Sequence, residues 1–290
     1  LRRAWSARPL TPCRRGLTTG LFIILGGLTV LSIRGGGGRS TANVGMVYHS
    51  SRPFFNHAAV NPAFSLFYSS LKQQDFGRQC DYFSEPRRAT LFAGLQKPAF
   101  ATPAPRLTTR RPNIVIIIME GLGSTFVGPL GGNPDITPHM NRLSREGLFF
   151  TQCYANSFRT DRGTLSILSG YPAFPTASVM KLPEKTRHLP GIAASLRQAG
   201  YATTFLYGGD INFTNMNSYL MSTGYQTTLG DTDFPLAERR THAWGVTDSI
   251  TFNRLYDMIM ERQTAASLAH RLSHTGQPRA VESTLPPAPT

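Results

Sequence analysis

Residues 113–123 read NIVIIIMEGLG, and this stretch decides the fold. Its apolar run, from Ile114 to Met119, is rich in β-branched side chains, which is typical of a strand buried on both faces of a parallel sheet. Glu120 ends the run, and Gly121 and Gly123 follow. Since open α/β sheets bind their ligands beyond the carboxyl ends of their strands, Glu120 stands where a site is expected.

Strand and helix patterns alternate after this run. Further strands are predicted at residues 148–154 and 202–207. Helices are predicted at residues 137–145, near Asp161, at residues 191–199, and from Thr247 or Asp248 to about Met260. This alternation predicts an α/β domain in which helices sandwich the sheet.

A candidate nucleophile follows the second predicted strand, in the segment NSFRTDRGTLSILSGYP at residues 156–172. The apolar residues Leu165 and Leu168 predict a helix that begins near Asp161. Thr160 then lies at the helix N-terminus, where free N–H groups and the helix dipole favour an anion. A hydroxyl there suits attack on a phosphoryl group when a metal lowers its pKa. The alternative is that Thr160 only caps the helix.

These motifs resemble the alkaline phosphatase/sulfatase superfamily, and within it the lipoteichoic acid synthase family of membrane phosphoglycerol transferases. The motifs are Glu120-Gly121, the helix that starts at Thr137-Pro138, Arg159-Thr160, and Leu168-Ser-Gly-Tyr-Pro172. The resemblance implies an alkaline phosphatase-like fold and one divalent metal, commonly Mn²⁺. It also implies that a Thr attacks the phosphate of a phosphatidylglycerol-like donor, and that glycerolphosphate then passes to a glycolipid or glycan acceptor.

The resemblance assigns roles to four residues of this chain. Glu120 is expected to bind the metal, and Thr160 is expected to be both nucleophile and metal ligand. Arg159 stands where a basic residue holds a phosphate oxygen. Asp210, after the predicted strand 202–207 and two glycines, either lines the substrate groove or satisfies backbone groups of its own loop.

Three aromatic or imidazole side chains carry weaker predictions. Trp244 is expected in the core rather than under the site. His139 is expected on the surface of its helix. His242 is a candidate for the edge of the site.

True sulfatases are the nearest alternative within the superfamily. They share the ten-residue interval that separates Thr160 from Gly170 here. Their nucleophile is a Cys or Ser that is converted to formylglycine, with Pro two residues later and Arg four residues later. Arg162 and Thr164 occupy those two positions in this chain. Since Thr cannot become formylglycine, sulfate-ester hydrolysis by that mechanism is disfavoured, and a sulfatase or another phosphoric or sulfuric ester hydrolase stays the alternative.

One element of the family pattern is missing from the chain. The family completes its metal site with an Asp-His pair on a later strand, and no Asp-His dipeptide occurs here. The likeness is expected to end near Arg262, and residues 263–290 contain four prolines and no strand pattern, which predicts a disordered tail. A catalytically inactive truncated fragment or binding domain therefore remains a second alternative.

The charge distribution indicates a membrane rather than a nucleic acid. The net charge is +14, but no Asp or Glu precedes Asp75, and nine Lys or Arg residues lie in residues 1–74. Residues 16–33 are uncharged between arginines, long enough for a helix to span a hydrocarbon core of ~30 Å. Because more arginines precede than follow this stretch, the N-terminus is expected in the cytoplasm and the rest outside, in a bacterial inner membrane. A cleaved signal peptide is disfavoured, since no small-residue cleavage site follows Ile33.

These observations predict five segments. They are a basic cytoplasmic segment (1–15), a transmembrane helix (16–34), an extracytoplasmic linker with amphipathic helices (35–111), an incomplete catalytic domain (112–262) and the tail (263–290). In the linker, Val60, Phe64, Phe67 and Leu71 share one helix face. This face is expected either to lie on the bilayer surface or to pack on the following domain.

Overall fold

Helices dominate the regular structure in the computed structural model, which describes residues 11–37, 40–50, 52–71, 82–95, 109, 111–239 and 243–273. Two compact units are distinguished. The first comprises Leu1–Ser69, Met180–His188 and Ala193–Val246, and the second comprises Ser70–Val179, Leu189–Ile192 and Thr247–Thr290.

In chain order the elements are α1 (Pro12–Arg34), α2 (Pro53–Ala59), α3 (Pro62–Leu71), α4 (Glu85–Leu95), α5 (Pro138–Glu146), α6 (Thr160–Ser169), α7 (Pro183–Thr186), α8 (Ile192–Gln198), β1 (Thr204–Leu206), α9 (Met216–Ser222), β2 (Thr227–Leu229), α10 (Leu236–Arg239) and α11 (Asp248–Ser273). Short 3₁₀ turns lie between them, among them Val44–Val47 and Phe213–Asn215.

Helix α1 contains the whole uncharged stretch 16–33 that predicts a membrane span. Pro12 opens it, and Gly35 closes it in the left-handed conformation, with φ at 89°. No residue of α1 is buried against the protein. Among the described residues, it is the one helix long and apolar enough to cross a membrane.

In the first unit, β1 and β2 form a parallel pair in which Phe205 lies opposite Thr228. Parallel neighbours need a crossover connection, and α9 supplies it. Tyr219 and Leu220 of α9 are completely buried. The strand predicted at residues 202–207 is therefore confirmed, and the parallel pairing agrees with the predicted α/β class.

In the second unit, α5 confirms the helix predicted at residues 137–145. Helix α6 begins at Thr160 itself, one residue before the predicted start. The buried side chains here include Val127, Leu165 and Leu168. Since Leu165 and Leu168 are three residues apart on α6, their burial fixes which face of this helix turns inward.

Two predicted strands are wrong. Residues 113–119 and 148–154 form no strand, and their apolar side chains are largely open: Val115 is 54% exposed and Phe150 is 73% exposed. A strand exists only where a neighbour accepts its backbone hydrogen bonds, and among the described residues neither segment has such a partner. The β-branched run indicates strand preference, and pairing decides whether a strand forms.

Two helix predictions are also corrected. Helix α11 continues to Ser273, so residues 263–273 are helical rather than coil. Those residues consist largely of helix formers such as Ala, Leu, Arg and Gln, and the first proline after them is Pro278. Residues 274–290 lie outside the described residues.

The predicted apolar face 60–71 is interrupted. Helix α2 ends at Ala59, Val60 is extended, and α3 starts at Pro62. Proline disfavours helical geometry in the residue before it, so the chain breaks at this point. Only Phe64, Phe67 and Leu71 therefore belong to one helix. Most of the predicted linker end, residues 96–111, lies outside the described residues.

Candidate active site

Helix α6 holds Thr160 at its first position. Arg159 before it is extended, and the helix ends at Gly170, whose φ of 63° is left-handed. Leu165 and Leu168 are 2% and 3% exposed, so α6 is held firmly along its inner face. The positive end of the helix dipole therefore lies at a fixed, half-buried hydroxyl.

Thr160 and Glu120 meet in the second unit. The hydroxyl of Thr160 donates a hydrogen bond to Oε1 of Glu120, across 40 residues of sequence. Gly121 follows with φ at 73°, a conformation that allows the chain to turn sharply directly after the carboxylate. The structure thus brings together the two residues that the sequence analysis singled out, and their chemical roles stay predictions.

Arg159 brings a positive charge next to this pair. Its Nε lies 3.5 Å from Oδ1 of Asp161; the arginine side chain is half exposed and the aspartate is buried. A guanidinium that is only partly engaged on one edge suits a phosphate oxygen. The assignment of Arg159 to a phosphate remains a prediction.

Two neighbouring residues that the sequence analysis did not assign hold this region in place. Asn156 Oδ1 accepts a hydrogen bond from the backbone N–H of Ala173 at 2.7 Å, which ties the segment before Thr160 to the segment after α6. Arg162 donates from Nη1 to the carbonyl of Pro175, and its guanidinium lies 5.9 Å from the ring centroid of Phe158. Arg162 occupies a position where sulfatases carry proline. The sequence pattern marks this residue as a departure from the sulfatase motif, but it does not reveal the contacts with Pro175 and Phe158.

Asp210 belongs to the first unit. Its Oδ1 accepts from the backbone N–H of Asn212 at 2.9 Å, and its Oδ2 accepts from the hydroxyl of Ser40. Both carboxylate oxygens of Asp210 therefore accept hydrogen bonds from the protein itself. This geometry favours the second of the two predicted roles, that of a loop carboxylate. Its assignment to a substrate groove is untested and stays a prediction.

The weaker predictions have mixed outcomes. His139 is exposed on α5, as predicted. Trp244 is 70% exposed and lies edge-on to Phe213 with ring centroids 6.4 Å apart, so its placement in the core is wrong. His242 lies outside the described residues.

A divalent cation needs more donor atoms than Glu120 and Thr160 supply. Among the described residues, no group of three or more His, Cys, Asp or Glu side chains is arranged to hold a metal ion. Glu120 and Thr160 offer oxygen atoms, the donor type that hard cations such as Mg²⁺ and Mn²⁺ take. Such ions take about six ligands. The pair therefore fits part of a metal site and does not complete one.

A separate cavity of about 330 Å³ lies in the first unit, and no sequence motif predicted it. The side chains of Tyr48, His57, Arg187 and His188 contribute to its lining. Arg187 is already engaged, since Nη2 lies 3.0 Å from Oε2 of Glu184 and Nε donates to His188 at 2.9 Å. Burial raises the pKa of the Tyr48 phenol, Glu184 raises it further, and Arg187 acts in the opposite direction.

Comparison with known proteins gives a family match. The sequence profile of the sulfatase family matches residues 112–277, more than half of the chain and past the point near Arg262 where the likeness was expected to end. A crystal structure of an alkaline phosphatase superfamily protein from Vibrio parahaemolyticus is 36% identical, with a TM-score of 0.45, over 49% of this chain and 34% of that one.

Curated relatives include enzymes of two kinds. The ulvan-active sulfatase of Formosa agariphila is 31% identical over 36% of this chain and 20% of its own length. The N-acetylgalactosamine-6-O-sulfatase of Bacteroides thetaiotaomicron is 28% identical over 33% of this chain and 20% of its own length. Phosphoglycerol transferase I of Escherichia coli O81 (strain ED1a) is 26% identical over 70% of this chain and 26% of its own length. The chain thus spans about a fifth to a quarter of the length of these relatives.

Proposed function

Because the chain belongs to the sulfatase family, an enzyme family of the alkaline phosphatase type, we propose that it is a membrane-anchored phosphoglycerol transferase-like enzyme in which Thr160 is the nucleophile. The observation that carries the proposal is the hydrogen bond from the Thr160 hydroxyl to Glu120 at the start of α6. The relative that aligns with 70% of this chain, phosphoglycerol transferase I, supports the transferase over other members of the family.

The geometry speaks against Thr160 as a simple helix cap. The residue at the capping position is Arg159, and no side chain there bonds to the first turn. Thr160 is the first residue inside the helix, and its hydroxyl donates to the carboxylate of Glu120. A capping hydroxyl instead accepts from a backbone N–H of the first turn. The hydroxyl is therefore available for chemistry beside a proton acceptor.

The proposed reaction has two displacements at phosphorus. In the first, a bond forms between Thr160 Oγ1 and phosphorus while the bond from phosphorus to the diacylglycerol oxygen breaks. Glu120 Oε1 takes the proton of the Thr160 hydroxyl and passes it to the departing diacylglycerol oxygen. In the second, an acceptor hydroxyl gives its proton to Glu120 and attacks phosphorus, the bond to Oγ1 breaks, Oγ1 takes the proton from Glu120, and glycerolphosphate is bonded to the acceptor. Arg159 offsets negative charge on a phosphate oxygen.

A divalent cation is part of the proposal, with Mn²⁺ as the expected ion. Glu120 and Thr160 would be two of its ligands, and when bound it would lower the pKa of the Thr160 hydroxyl. The two oxygen donors among the described residues do not complete a coordination shell.

The sulfatase alternative is favoured by the two sulfatase relatives. The residues at the nucleophile argue against it. Formylglycine requires Cys or Ser at position 160, and Thr carries a methyl group that prevents this conversion. Arg162 and Thr164 also stand where the sulfatase motif has Pro and Arg. Phosphoryl transfer through a Thr ester needs none of these residues.

We further propose that the donor is a phosphatidylglycerol-like lipid, that the acceptor is a glycolipid or glycan, and that no nucleic acid is involved. The apolar helix α1 and the phosphoglycerol transferase relatives support a membrane protein. Within it, the second unit would act on the extracytoplasmic side of a bacterial inner membrane. A lipid donor supplies both the phosphate and the diacylglycerol leaving group that the reaction requires.

The decisive test is turnover of a labelled phosphatidylglycerol donor by a full-length protein carrying this domain. We expect Thr160→Ala to lower turnover at least about a thousandfold, because the variant cannot form the covalent intermediate. Thr160→Ser should retain part of the activity, since it keeps a hydroxyl at the same helix end. Glu120→Ala should lose activity as well, and excess manganese should restore part of it. A glycerolphosphate ester on Thr160, found by peptide mass spectrometry, would identify the intermediate.

Ser166→Ala is the matched control, because this hydroxyl lies on the same helix and bonds to Arg162 O and Asn156 Oδ1 rather than to Glu120. Its turnover should stay near the wild-type rate. Melting curves for every variant separate lost chemistry from lost folding. Wild-type turnover by Thr160→Ala would refute the nucleophile assignment, and faster hydrolysis of an aryl sulfate than of the lipid would favour the sulfatase alternative.

A further inference from the structure

The chain is fastened to the first unit directly after α1. The N–H of Ala42 donates to the carbonyl of Arg34 at 2.7 Å, so the chain turns back onto the end of α1. Ser40 donates to Asp210, and Asn43 Nδ2 donates to the carbonyl of Asn212 at 3.1 Å. Six residues of extended chain reach at most about 20 Å. The first unit therefore lies close to the point where α1 would leave a membrane.

Helix α2 continues this attachment and presents two phenylalanines outward. Asn56 is 2% exposed, and its Oδ1 accepts from the backbone N–H groups of His49 and Ser50 at 3.0 and 2.9 Å. Phe54 is 76% exposed and Phe55 is 46% exposed. Positions 54 and 56 are about 200° apart around a helix, so Phe54 points away from the side that is pinned to the protein.

Helix α3 carries a second exposed apolar patch. Phe67 is 69% exposed and Leu71 is 84% exposed, four residues apart on one face of the helix. The rings of Phe64 and Tyr68 stack on each other along the adjacent side of the helix, with their centroids 5.7 Å apart. Ser69 is exposed on the opposite side, where its hydroxyl bonds to the carbonyl of Leu66. Most large apolar side chains of this helix therefore share one uncovered face, and Leu66, 64% exposed, lies outside it.

The charge of this part of the chain identifies the partner. Residues 34–74, which run from the end of α1 onward on the side of α2 and α3, contain four Lys or Arg residues and no Asp or Glu. Arg52, immediately before α2, is exposed. An anionic lipid surface attracts such a segment, whereas a second copy of the chain would bring two positive segments together. Apolar residues with positive charge beside them are what an interfacial helix presents to a bilayer.

We propose that α2 and α3 form a membrane-contact surface, in which Phe54 and Phe67 insert into the anionic leaflet at the end of α1. The surface holds the first unit against the bilayer in addition to the tether that α1 provides. The inference rests on the membrane placement given under the proposed function, and it is independent of the chemistry at Thr160. It adopts the first of the two predictions for the linker helices, contact with the bilayer surface.

The test uses the full chain in vesicles of phosphatidylglycerol and phosphatidylcholine. Its three cysteines are changed to Ser, and an environment-sensitive dye is attached at Phe67→Cys or, as the matched control, at Ser69→Cys. Both positions are exposed, so neither change removes a buried contact. We expect blue-shifted emission at position 67 and several-fold stronger quenching there than at 69 by lipids that carry a shallow spin label.

Three other outcomes would overturn the inference. Equal, water-like emission at both positions would show that the face does not touch lipid. Energy transfer between labelled chains without lipid quenching would show that a second copy covers the face. Release of the protein by alkaline extraction would show that α1 does not span, which would overturn the membrane placement as well. Lipid quenching that persists in pure phosphatidylcholine would overturn only the role of charge.

Discussion

At the scale of single residues, the contact between Thr160 and Glu120 is the main result. Each residue has an ordinary local environment: Thr160 starts a helix, and Glu120 follows an apolar run. Their hydrogen bond joins the hydroxyl that we propose as the nucleophile to the carboxylate that we propose as its proton acceptor. Arg159 adds a positive charge one residue away. Together they form an arrangement that a lone helix cap would not require.

A residue-scale prediction concerns the buried phenol of Tyr48. Burial raises its pKa above the ordinary value of 10.0, as burial also does for Tyr225. Because the folded protein holds this proton more tightly than the unfolded chain, the free energy of unfolding is unaffected below pH 10 and falls as pH rises beyond it. Ultraviolet absorbance of tyrosinate during a pH titration should show a late step for these phenols.

Tyr48→Phe should remove part of that late step and make the free energy of unfolding fall less steeply above pH 10. Tyr154→Phe is the control, because its ring is 85% exposed and its loss leaves the buried phenols in place. An unchanged late step in Tyr48→Phe would contradict the effect of burial on this group.

At the scale of elements, the sequence predicted most helices but only one of three strands, that at residues 202–207. Helices α5, α6 and α8 lie where capping residues and apolar spacing predicted them. A helix satisfies its hydrogen bonds within its own segment, so local signals suffice. The strand expected at residues 113–119 depends on a partner elsewhere in the chain, and no local pattern reports whether that partner is in place.

The element-scale prediction is the orientation of α1. Cys13 lies at its start and Cys153 lies in the second unit, and both are exposed. If the N-terminus is cytoplasmic, a membrane-impermeant maleimide should label Cys153 in spheroplasts and reach Cys13 only after permeabilisation. Variants that each retain one cysteine make the two signals separable.

A chain that lacks all three cysteines provides the background for this labelling. Labelling of Cys13 but not Cys153 in sealed spheroplasts would reverse the topology. The second unit would then lie in the cytoplasm, away from extracytoplasmic acceptors.

At the scale of the whole molecule, the family match indicates an enzyme, whereas the described residues do not supply a full set of metal ligands. The sulfatase-family match covers residues 112–277, which indicates an enzyme of this family. The sequence given nevertheless contains no Asp-His dipeptide, and the described residues hold no cluster of three metal-binding side chains. The chain spans 20% to 26% of the length of the curated relatives reported above.

The whole-molecule prediction is therefore weak binding of manganese by this chain. Thermal melts with and without the ion should coincide, because Glu120 and Thr160 alone make a poor site for a cation that takes about six ligands. Binding at a hundredfold excess over the dissociation constant would raise the free energy of unfolding by about 2.7 kcal/mol. A shift of that size, lost in Glu120→Ala, would show a metal site that the described residues do not reveal.

The sequence by itself determined the features that depend only on residues close together along the chain. It identified the apolar helix α1, the helix that starts at Thr160, the α/β class, and Thr160 and Glu120 as the pair to examine. Apolar runs, capping residues and charge are local properties, so they can be recognised without knowing where the chain goes next. Residues 263–273 are helical although the prolines after them are typical of coil, because their own residues are largely helix formers.

Only the tertiary structure decided which distant residues meet. The hydrogen bond between Thr160 and Glu120, the attachment of Ser40 to Asp210, and the pairing of β1 with β2 each join segments that are far apart in the chain. Such contacts depend on how separate elements pack and on the entropy of closing the intervening loops, neither of which is written in a local pattern. For the same reason the strand-forming run 113–119 remained without a partner among the described residues.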